Sequence, residues 1–230
     1  MPYTFVGAKT NTANGNSITY TATPGNLLVV LSWTSAGGGS PTASISDNLG
    51  STWNTRTATA SIGAGFGAPW YTAFDLPNCG AVTSITVTYN GGTPGTTDIL
   101  ILEYSAIDTA APYIGTTQAA QSAPGGGATL SSGNLSVASG VPALLIGVSR
   151  DDQSNGGFTA GAGYTGRSVT GSAWIYVEDQ RATSTGSYAA TATETHTATD
   201  RYLTTILAYS EYVAPNLDPI TACFPIGYYE

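Results

Sequence analysis

Short hydrophobic stretches bounded by turn-forming residues recur along the whole chain. Continuous apolar stretches such as residues 27–31 predict strands covered on both faces, whereas alternating stretches such as 85–89 predict strands with one solvated face. Glycine, proline and asparagine cluster between these stretches, where the chain must reverse. No segment keeps the 3.6-residue period of an amphipathic helix, so the pattern predicts an all-β protein. We predict strands over residues 17–23, 27–34, 42–46, 52–60, 70–76, 84–89, 98–107, 128–130, 135–138, 143–149, 164–169, 174–179, 188–194 and 203–212.

Three segments of the first half have counterparts in the second half, at a period of about 105–117 residues. The matching segments are 26–32 with 143–149, 69–71 with 173–175, and 101–105 with 206–210. Two such halves contribute equivalent strands to one sandwich or form two packed sandwiches, and we expect a single domain. The mixture of strand types predicts an antiparallel β-sandwich of jelly-roll type with an internal two-fold repeat.

The predicted organisation has three parts. An N-terminal segment (1–16) precedes a β-sandwich domain (17–212) whose pseudo-repeats cover about 17–108 and 128–212. The remaining residues, 213–230, form an extended C-terminal arm whose three prolines exclude a central strand. We expect the arm to dock on its own domain or on a neighbouring subunit, through the apolar side chains of Phe224, Ile226, Tyr228 and Tyr229.

The charge balance excludes two classes of partner. Charged residues make up only 9% of the chain, and 6 Lys plus Arg against 14 Asp plus Glu give a formal net charge of −8. Proteins that bind nucleic acid or an anionic membrane surface need clustered cations. Nor does any apolar run approach the roughly 18 residues of a membrane span. We therefore expect no nucleic-acid partner and no membrane insertion.

The start of the chain, Met-Pro-Tyr-Thr-Phe-Val-Gly, lacks the cationic and apolar regions of a signal peptide, so we expect synthesis in a cytoplasm. A lysine-poor surface rich in Thr, Ser and Gly is instead typical of proteins that work outside cells. A virion protein, which is made inside its host cell and then released, would account for both the cytoplasmic synthesis and this type of surface. An extracellular protein is the alternative. A reducing compartment predicts that Cys79 and Cys223 are buried thiols, with a late disulfide between them as the alternative.

No motif predicts a catalytic centre. His196 is the single histidine, and no Gly-x-Ser-x-Gly segment supplies a nucleophile for it. Residues 161–166 match Gly-x-Gly-x-x-Gly but precede no predicted helix, so we interpret them as a loop. Glu178 and Asp179 are adjacent, point to opposite faces of a strand and cannot flank one glycosidic bond. We expect them to be solvated or paired with Arg181 or Arg201, and we expect no enzymatic activity.

Asp151, Asp152 and Asn155 form a weak calcium candidate. The segment 151–156 resembles the start of a calcium loop, but Ala162 stands where such a loop needs a bidentate glutamate. A turn with an ion pair to Arg150 is the alternative. We expect no other cofactor.

The tryptophans are candidates for a ligand platform, because aromatic rings stack on sugars. Trp70 and Trp174 occupy equivalent positions of the repeat, which indicates a core role. Trp33 ends a buried strand beside a glycine loop and is the best candidate for exposure; Trp53 follows a turn. Trp33 and Trp53 are therefore the predicted binding residues for a surface glycan.

Residues 25–30, 46–53, 174–179 and 207–210 carry a resemblance to known proteins. The chain resembles β-sandwich domains in virion proteins of tailed bacteriophages and in some secreted bacterial proteins. That resemblance implies a non-enzymatic capsid-decoration or fibre subunit that forms homo-oligomers and contacts other virion proteins. The alternative function is a carbohydrate-binding module of a secreted or adhesive protein.

Overall fold

In a computed structural model, the chain is described over residues 2–11, 15–36, 41–61, 69–91, 94–123, 127–139, 142–151, 157–167, 169, 175–195 and 200–213. All regular elements in these ranges are β strands, which confirms the all-β prediction. The described residues contain no helix that is long and apolar enough to cross a membrane.

The strands fall into two halves. Those of the first half are β1 (Thr4–Asn11), β2 (Ser17–Thr19), β3 (Leu27–Ala36), β4 (Thr42–Asp47), β5 (Asn54–Ser61), β6 (Pro69–Leu76), β7 (Ser84–Asn90) and β8 (Pro94–Ser105). Those of the second half are β9 (Tyr113–Ala123), β10 (Leu135–Val137), β11 (Ala143–Asp151), β12 (Phe158–Thr159), β13 (Thr165–Arg167), β14 (Ile175–Ala182), β15 (Gly186–Tyr188), β16 (Thr193–Glu194) and β17 (Asp200–Ser210).

Each half builds one antiparallel five-stranded sheet. The first sheet has the order β1-β8-β3-β6-β5, and the second sheet, taken from the corresponding edge, has the order β9-β17-β11-β14-β13. In each sheet, the first strand along the chain lies at one edge, the second at the centre and the third at the opposite edge. The fourth strand then lies between the centre and that opposite edge, and the fifth lies between the centre and the first edge. A three-stranded sheet, β2-β7-β4, forms the first cover, and the pairs β10-β15 and β12-β16 form the second cover.

The two five-stranded sheets share a central core. Alternate residues of β3, from Leu27 to Trp33, lie in one buried cluster with alternate residues of β11, from Leu144 to Val148. The intervening residues of β3 pack under the first cover, whereas those of β11 pack under the second cover. Both central strands are therefore covered on both faces, as their continuous hydrophobic runs predict.

Equivalent residues of the two halves pair in the same register. Leu27 of β3 lies opposite Tyr104 of β8, and Leu144 of β11 lies opposite Tyr209 of β17. These are the residues that the sequence segments 26–32 and 143–149, and 101–105 and 206–210, place at matching positions. The other neighbours of the two central strands, β6 and β14, keep the same correspondence.

The two edge strands β1 and β9 differ from the prediction, which placed residues 1–16 outside the sandwich and no strand between 108 and 127. Each contains a register shift at the same place, so that one extra residue, Val6 in β1 or Ile114 in β9, has no partner on the neighbouring strand. Such bulges bend a strand and increase its twist. Because β1 and β9 are edge strands with few strongly apolar residues, their hydrophobic pattern is weak.

The corresponding ends of the two sheets lie together. At one end, which we call the loop end, β3 and β11 finish and β8 and β17 begin; an ion pair there joins Asp98 of β8 to Arg150 of β11. At the other end, residues 106–112 connect the halves. Ala106 has a positive φ of 59°, and its carbonyl accepts a hydrogen bond from the backbone N–H of Tyr212 at 2.9 Å.

We expect Leu102→Ala and Leu207→Ala to lower the free energy of unfolding by similar amounts, about 2–5 kcal/mol each. Both side chains are fully buried in the central core, one from each half, so each substitution leaves a cavity there. Urea denaturation followed by tryptophan fluorescence measures the change. Leu49→Ala, at a side chain that is 52% exposed, is the control and should change stability little. Loss in only one of the two core variants would contradict a core shared by both halves.

Candidate functional site

Several of the predicted site residues lie outside the described part of the chain. Asp152 and Asn155 of the calcium candidate do so, as do His196, Cys223 and the arm residues Phe224, Ile226, Tyr228 and Tyr229. The backbone of Asp151 ends β11, but its side chain is outside the described set. Within the described residues, no three His, Cys, Asp or Glu side chains are grouped so as to hold a metal ion.

The two tryptophans predicted to bind a ligand lie in different environments. Trp33 is 1% exposed, so the prediction of an exposed ring is wrong: β3 continues past it to Ala36, and its side chain is on the face that enters the central core. Trp53 is half-buried against the core under the first cover. Its Nε1 donates a hydrogen bond to Oδ2 of Asp47 at 2.9 Å.

Asp47 organises the turn that precedes Trp53. Its Oδ1 accepts hydrogen bonds from the backbone N–H groups of Leu49 and Ser51 at 2.8 and 3.1 Å. Partial burial acts to raise the pKa of Asp47, but the hydrogen bonds from Ser51, Leu49 and Trp53 outweigh it and lower the pKa. The orientation of the Trp53 ring is thus set by a carboxylate that already has its partners.

Glu178 and Asp179 lie on opposite faces of β14, as expected. Of the two expected environments, solvation is wrong, because both residues are buried, whereas pairing with an arginine is correct for Asp179. Arg181 pairs with Glu211 through two hydrogen bonds of 2.7 and 2.8 Å instead of reaching either carboxylate. The partner of Asp179 is Arg167, which no sequence pattern indicated.

Asp179 is the centre of a group that we call the Asp179 cluster: Asp179, Arg167, Tyr3, Tyr104 and Phe5. Arg167 donates to both carboxylate oxygens at 2.6 and 2.7 Å, and the hydroxyls of Tyr3 and Tyr104 donate to them at 2.9 and 3.1 Å. The guanidinium carbon of Arg167 lies 5.1 Å from the centre of the Phe5 ring. The charges come from the second half and the aromatic rings come from the first.

The Asp75 cluster has the reverse composition: Asp75, Arg56, Asn54, Tyr113 and Tyr209. Arg56 donates to both oxygens of the fully buried Asp75, at 2.5 and 3.0 Å, and Asn54 donates to Oδ1 at 2.8 Å. The guanidinium carbon of Arg56 lies 4.2 Å from the centre of the Tyr113 ring. Here the charges come from the first half and the rings from the second.

The two clusters occupy equivalent positions of the two halves. Asp75 and Asp179 hold matching places on β6 and β14, and in each cluster a β8 or β17 tyrosine meets the edge-strand ring in an edge-to-face contact. The ring centres are 5.5 Å apart for Phe5 and Tyr104 and 5.8 Å apart for Tyr113 and Tyr209. Bidentate pairs and cation–π contacts of this kind are strengthened by partial burial.

Burial and neighbouring charges shift the pKa values of the arginines and tyrosines in these two clusters. The hydrogen bonds from Arg167 to Asp179 raise the pKa of Arg167; for Arg56, burial opposes the charge, but Asp75 outweighs burial and raises the pKa. Burial, followed by the neighbouring aspartate, raises the pKa of Tyr104 and of Tyr209 well above the ordinary value. Asp75 and Asp179 are therefore each fixed in an ion pair with an arginine at the contact between the two sheets.

Two further carboxylates hold the covers. Glu103 accepts hydrogen bonds from the Tyr20 hydroxyl, the Thr23 backbone N–H and the Asn26 side chain at 2.7, 2.9 and 2.6 Å. Glu178 accepts hydrogen bonds from the backbone N–H groups of Gly161 and Thr191 at 2.8 and 3.1 Å. In both cases a carboxylate on a five-stranded sheet fastens a loop segment of the covering layer.

Glu178 fits under its cover because Gly147 faces it. A Cβ at Gly147 would lie 2.7 Å from Cβ of Ala190 and 2.8 Å from Cγ of Glu178. Glu194 in the second cover is also fully buried, but neither of its oxygens has a hydrogen-bond partner among the residues that the structure describes.

Cys79 is a buried free thiol, as expected, and its Sγ donates to the Thr23 carbonyl at 3.3 Å. Burial, followed by the charge of Glu103, raises the pKa of Cys79 to about 11. The low thiolate fraction that follows makes this cysteine a poor nucleophile.

At the loop end, Asp98 and Arg150 form an ion pair between the sheets. Nη2 of Arg150 lies 2.8 Å from Oδ2 of Asp98, and the two residues are only 7% and 9% exposed. Nε of Arg150 has no hydrogen-bond acceptor among the described residues. The sequence indicates Arg150 only as a local partner of the calcium candidate, because sequence spacing does not show which residues meet across two sheets.

Comparisons with known proteins found no matching protein family, no matching curated protein and no matching solved structure. The site is therefore defined by its geometry: a polar frame of Arg–Asp pairs and tyrosines around the contact between the two sheets.

We expect Tyr104→Phe and Tyr209→Phe to differ, although the two residues are equivalent. The Tyr104 hydroxyl donates to a charged carboxylate, so its removal should cost about 1–3 kcal/mol of stability. The buried Tyr209 hydroxyl has no hydrogen-bond partner within the described part of the chain, and its removal should cost less than about 0.5 kcal/mol. Urea denaturation of both variants measures the difference. Equal losses would show that Asp75 holds Tyr209 as Asp179 holds Tyr104.

We expect Glu178→Gln to change how stability depends on pH. Burial raises the pKa of Glu178, against the opposing hydrogen bonds from Gly161 and Thr191. A raised pKa stabilises the folded state fully below the pKa of the unfolded chain, and this contribution is lost as the pH rises through the folded value. The stability of the wild type relative to Glu178→Gln should therefore fall as the pH rises above the ordinary pKa of a glutamate, measured by urea denaturation at each pH. A difference that grows with pH would contradict the direction of the shift.

Proposed function

We propose that the protein is a non-enzymatic structural protein of a bacteriophage virion, either a capsid-decorating subunit or a fibre subunit. The observation that carries this proposal is that buried carboxylates accept hydrogen bonds from other groups of the same chain. Asp75, Asp179, Glu103 and Glu211 each have donors inside the molecule that occupy their oxygens. These four carboxylates thus serve to hold strands and layers together, as suits a protein that acts through its surface.

We also propose that each half is a jelly roll and that the two halves are copies of an internal repeat. The neighbours β1-β8-β3-β6 and β2-β7-β4 follow the strand order of a jelly roll, with β5 beside β6. In the second half, β15 and β16 together take the place of β7. The equal strand order, the equal registers and the paired clusters support a repeat. Jelly rolls are common in viral capsid and lectin domains, which fits a virion role.

The partners in this proposal are further copies of the chain and other virion proteins, and the location is the virion. Residues 213–230 are the proposed contact arm. Tyr212 and Val213, the last two described residues, are 45% and 63% exposed. Apolar side chains that a monomer leaves exposed commonly serve a subunit contact.

Deleting residues 213–230 should leave the sandwich folded and abolish assembly. The deleted segment follows β17 and the last described hydrogen bonds of the junction, so thermal unfolding should be unchanged while light scattering reports a smaller particle. The control keeps the chain length and replaces Phe224, Ile226, Tyr228 and Tyr229 by serine; it should also fail to assemble.

An unchanged oligomeric state in both variants would contradict the arm contact. A full-length chain that is monomeric at every concentration would contradict self-assembly and favour the alternative, a carbohydrate-binding module. Trp53, with its half-buried ring held by Asp47, is then the described residue to test for glycan binding.

A further inference from the structure

At the loop end of the interface, a residue of one sheet meets a residue of the other sheet, and we call such a contact a crossing. Because the halves are equivalent, each crossing has an equivalent one in which the roles of the two halves are exchanged; at the loop end the two differ in chemistry. Trp33 lies between Tyr71 and Asp98 in the first sheet, and Arg150 lies between Ile175 and Leu203 at the equivalent register of the second sheet. Asp98 and Leu203 are therefore equivalent, as are Trp33 and Arg150. The crossing of Asp98 with Arg150 is an ion pair, whereas Trp33 and Leu203, in the equivalent positions, are apolar members of the central core.

We propose that this asymmetric contact makes pairing of the halves selective, so that the inner face of a first half accepts a second half and rejects another first half. This inference rests on the proposed repeat and not on the virion role. The Asp75 and Asp179 clusters contribute less to this discrimination, because each half supplies one Arg–Asp pair and one edge-to-face pair of aromatic rings, although Tyr3 of the first half is an additional donor to Asp179. The crossing at the loop end does discriminate.

Pairing of equal halves would leave buried charges without partners. Two first halves would place Asp98 opposite Trp33 on both sides of the interface, and two second halves would place Arg150 opposite Leu203. A buried charge that loses its partner is strongly destabilising. Repulsive arrangements of this kind set specificity as effectively as the favourable contact itself. Heterotypic pairing alone joins Asp98 to Arg150 and leaves two apolar residues at the other crossing.

The experiment uses the full chain with a protease site inserted after Thr109, in the exposed part of the connection between the halves. After complete cleavage, nicked protein with and without heavy isotopes is mixed, exchanged in mild denaturant and examined by native mass spectrometry. We expect labelled first halves with unlabelled second halves, and homotypic pairs below about one in a hundred.

The double variant Asp98→Leu with Arg150→Trp gives both sides the apolar crossing. We expect it to form homotypic and heterotypic pairs in roughly equal amounts. The matched control is the charge exchange Asp98→Arg with Arg150→Asp, which keeps an ion pair and should keep heterotypic pairing. It separates loss of specificity from a general loss of stability.

Three results would overturn the proposal: homotypic pairs in the nicked wild type at the frequency of heterotypic pairs, purely heterotypic pairing in the apolar double variant, or separation of the halves on cleavage alone. Because the readout is the identity of the paired halves, the result does not depend on assembly through residues 213–230.

Discussion

The rest of the structure depends on the contact between the two five-stranded sheets. Both sheets present a continuous apolar face to the central core, and neither face can remain in water at the size observed. Once these faces meet, the outer faces need covers of their own, which the short strands provide. The arrangement of four layers is thus a consequence of strands that are apolar on both sides.

The polar groups at this contact are arranged so that no half is complete alone. Arg56 and Arg167 each form an ion pair with an aspartate of their own half, but each packs against an aromatic ring of the other half. Burying a carboxylate costs free energy unless hydrogen-bond donors surround it. For Asp179, two of these donors, the hydroxyls of Tyr3 and Tyr104, come from the other half. The clusters therefore link the stability of each half to its docking.

The central strands and the counterpart segments were predictable from the sequence because burial on both faces leaves long apolar runs. The edge strands β1 and β9 were not, since an edge strand with a bulge needs few apolar residues and Gly and polar residues weaken its pattern. Exposure of Trp33 was predicted wrongly because the strand extends beyond the apolar run that marked it. Arg167 was missed because its partner Asp179 is twelve residues away across a hairpin.

The sequence by itself determined the all-β class, the turns and the counterpart segments, because hydrophobic alternation and turn residues act over a few neighbours. Only the tertiary structure decided which faces meet, and so which charges pair: Asp98 with Arg150 across the interface, and Asp179 with tyrosines from the other half. Pairing across sheets depends on the relative placement of distant strands, and local patterns along one strand carry no information about that placement.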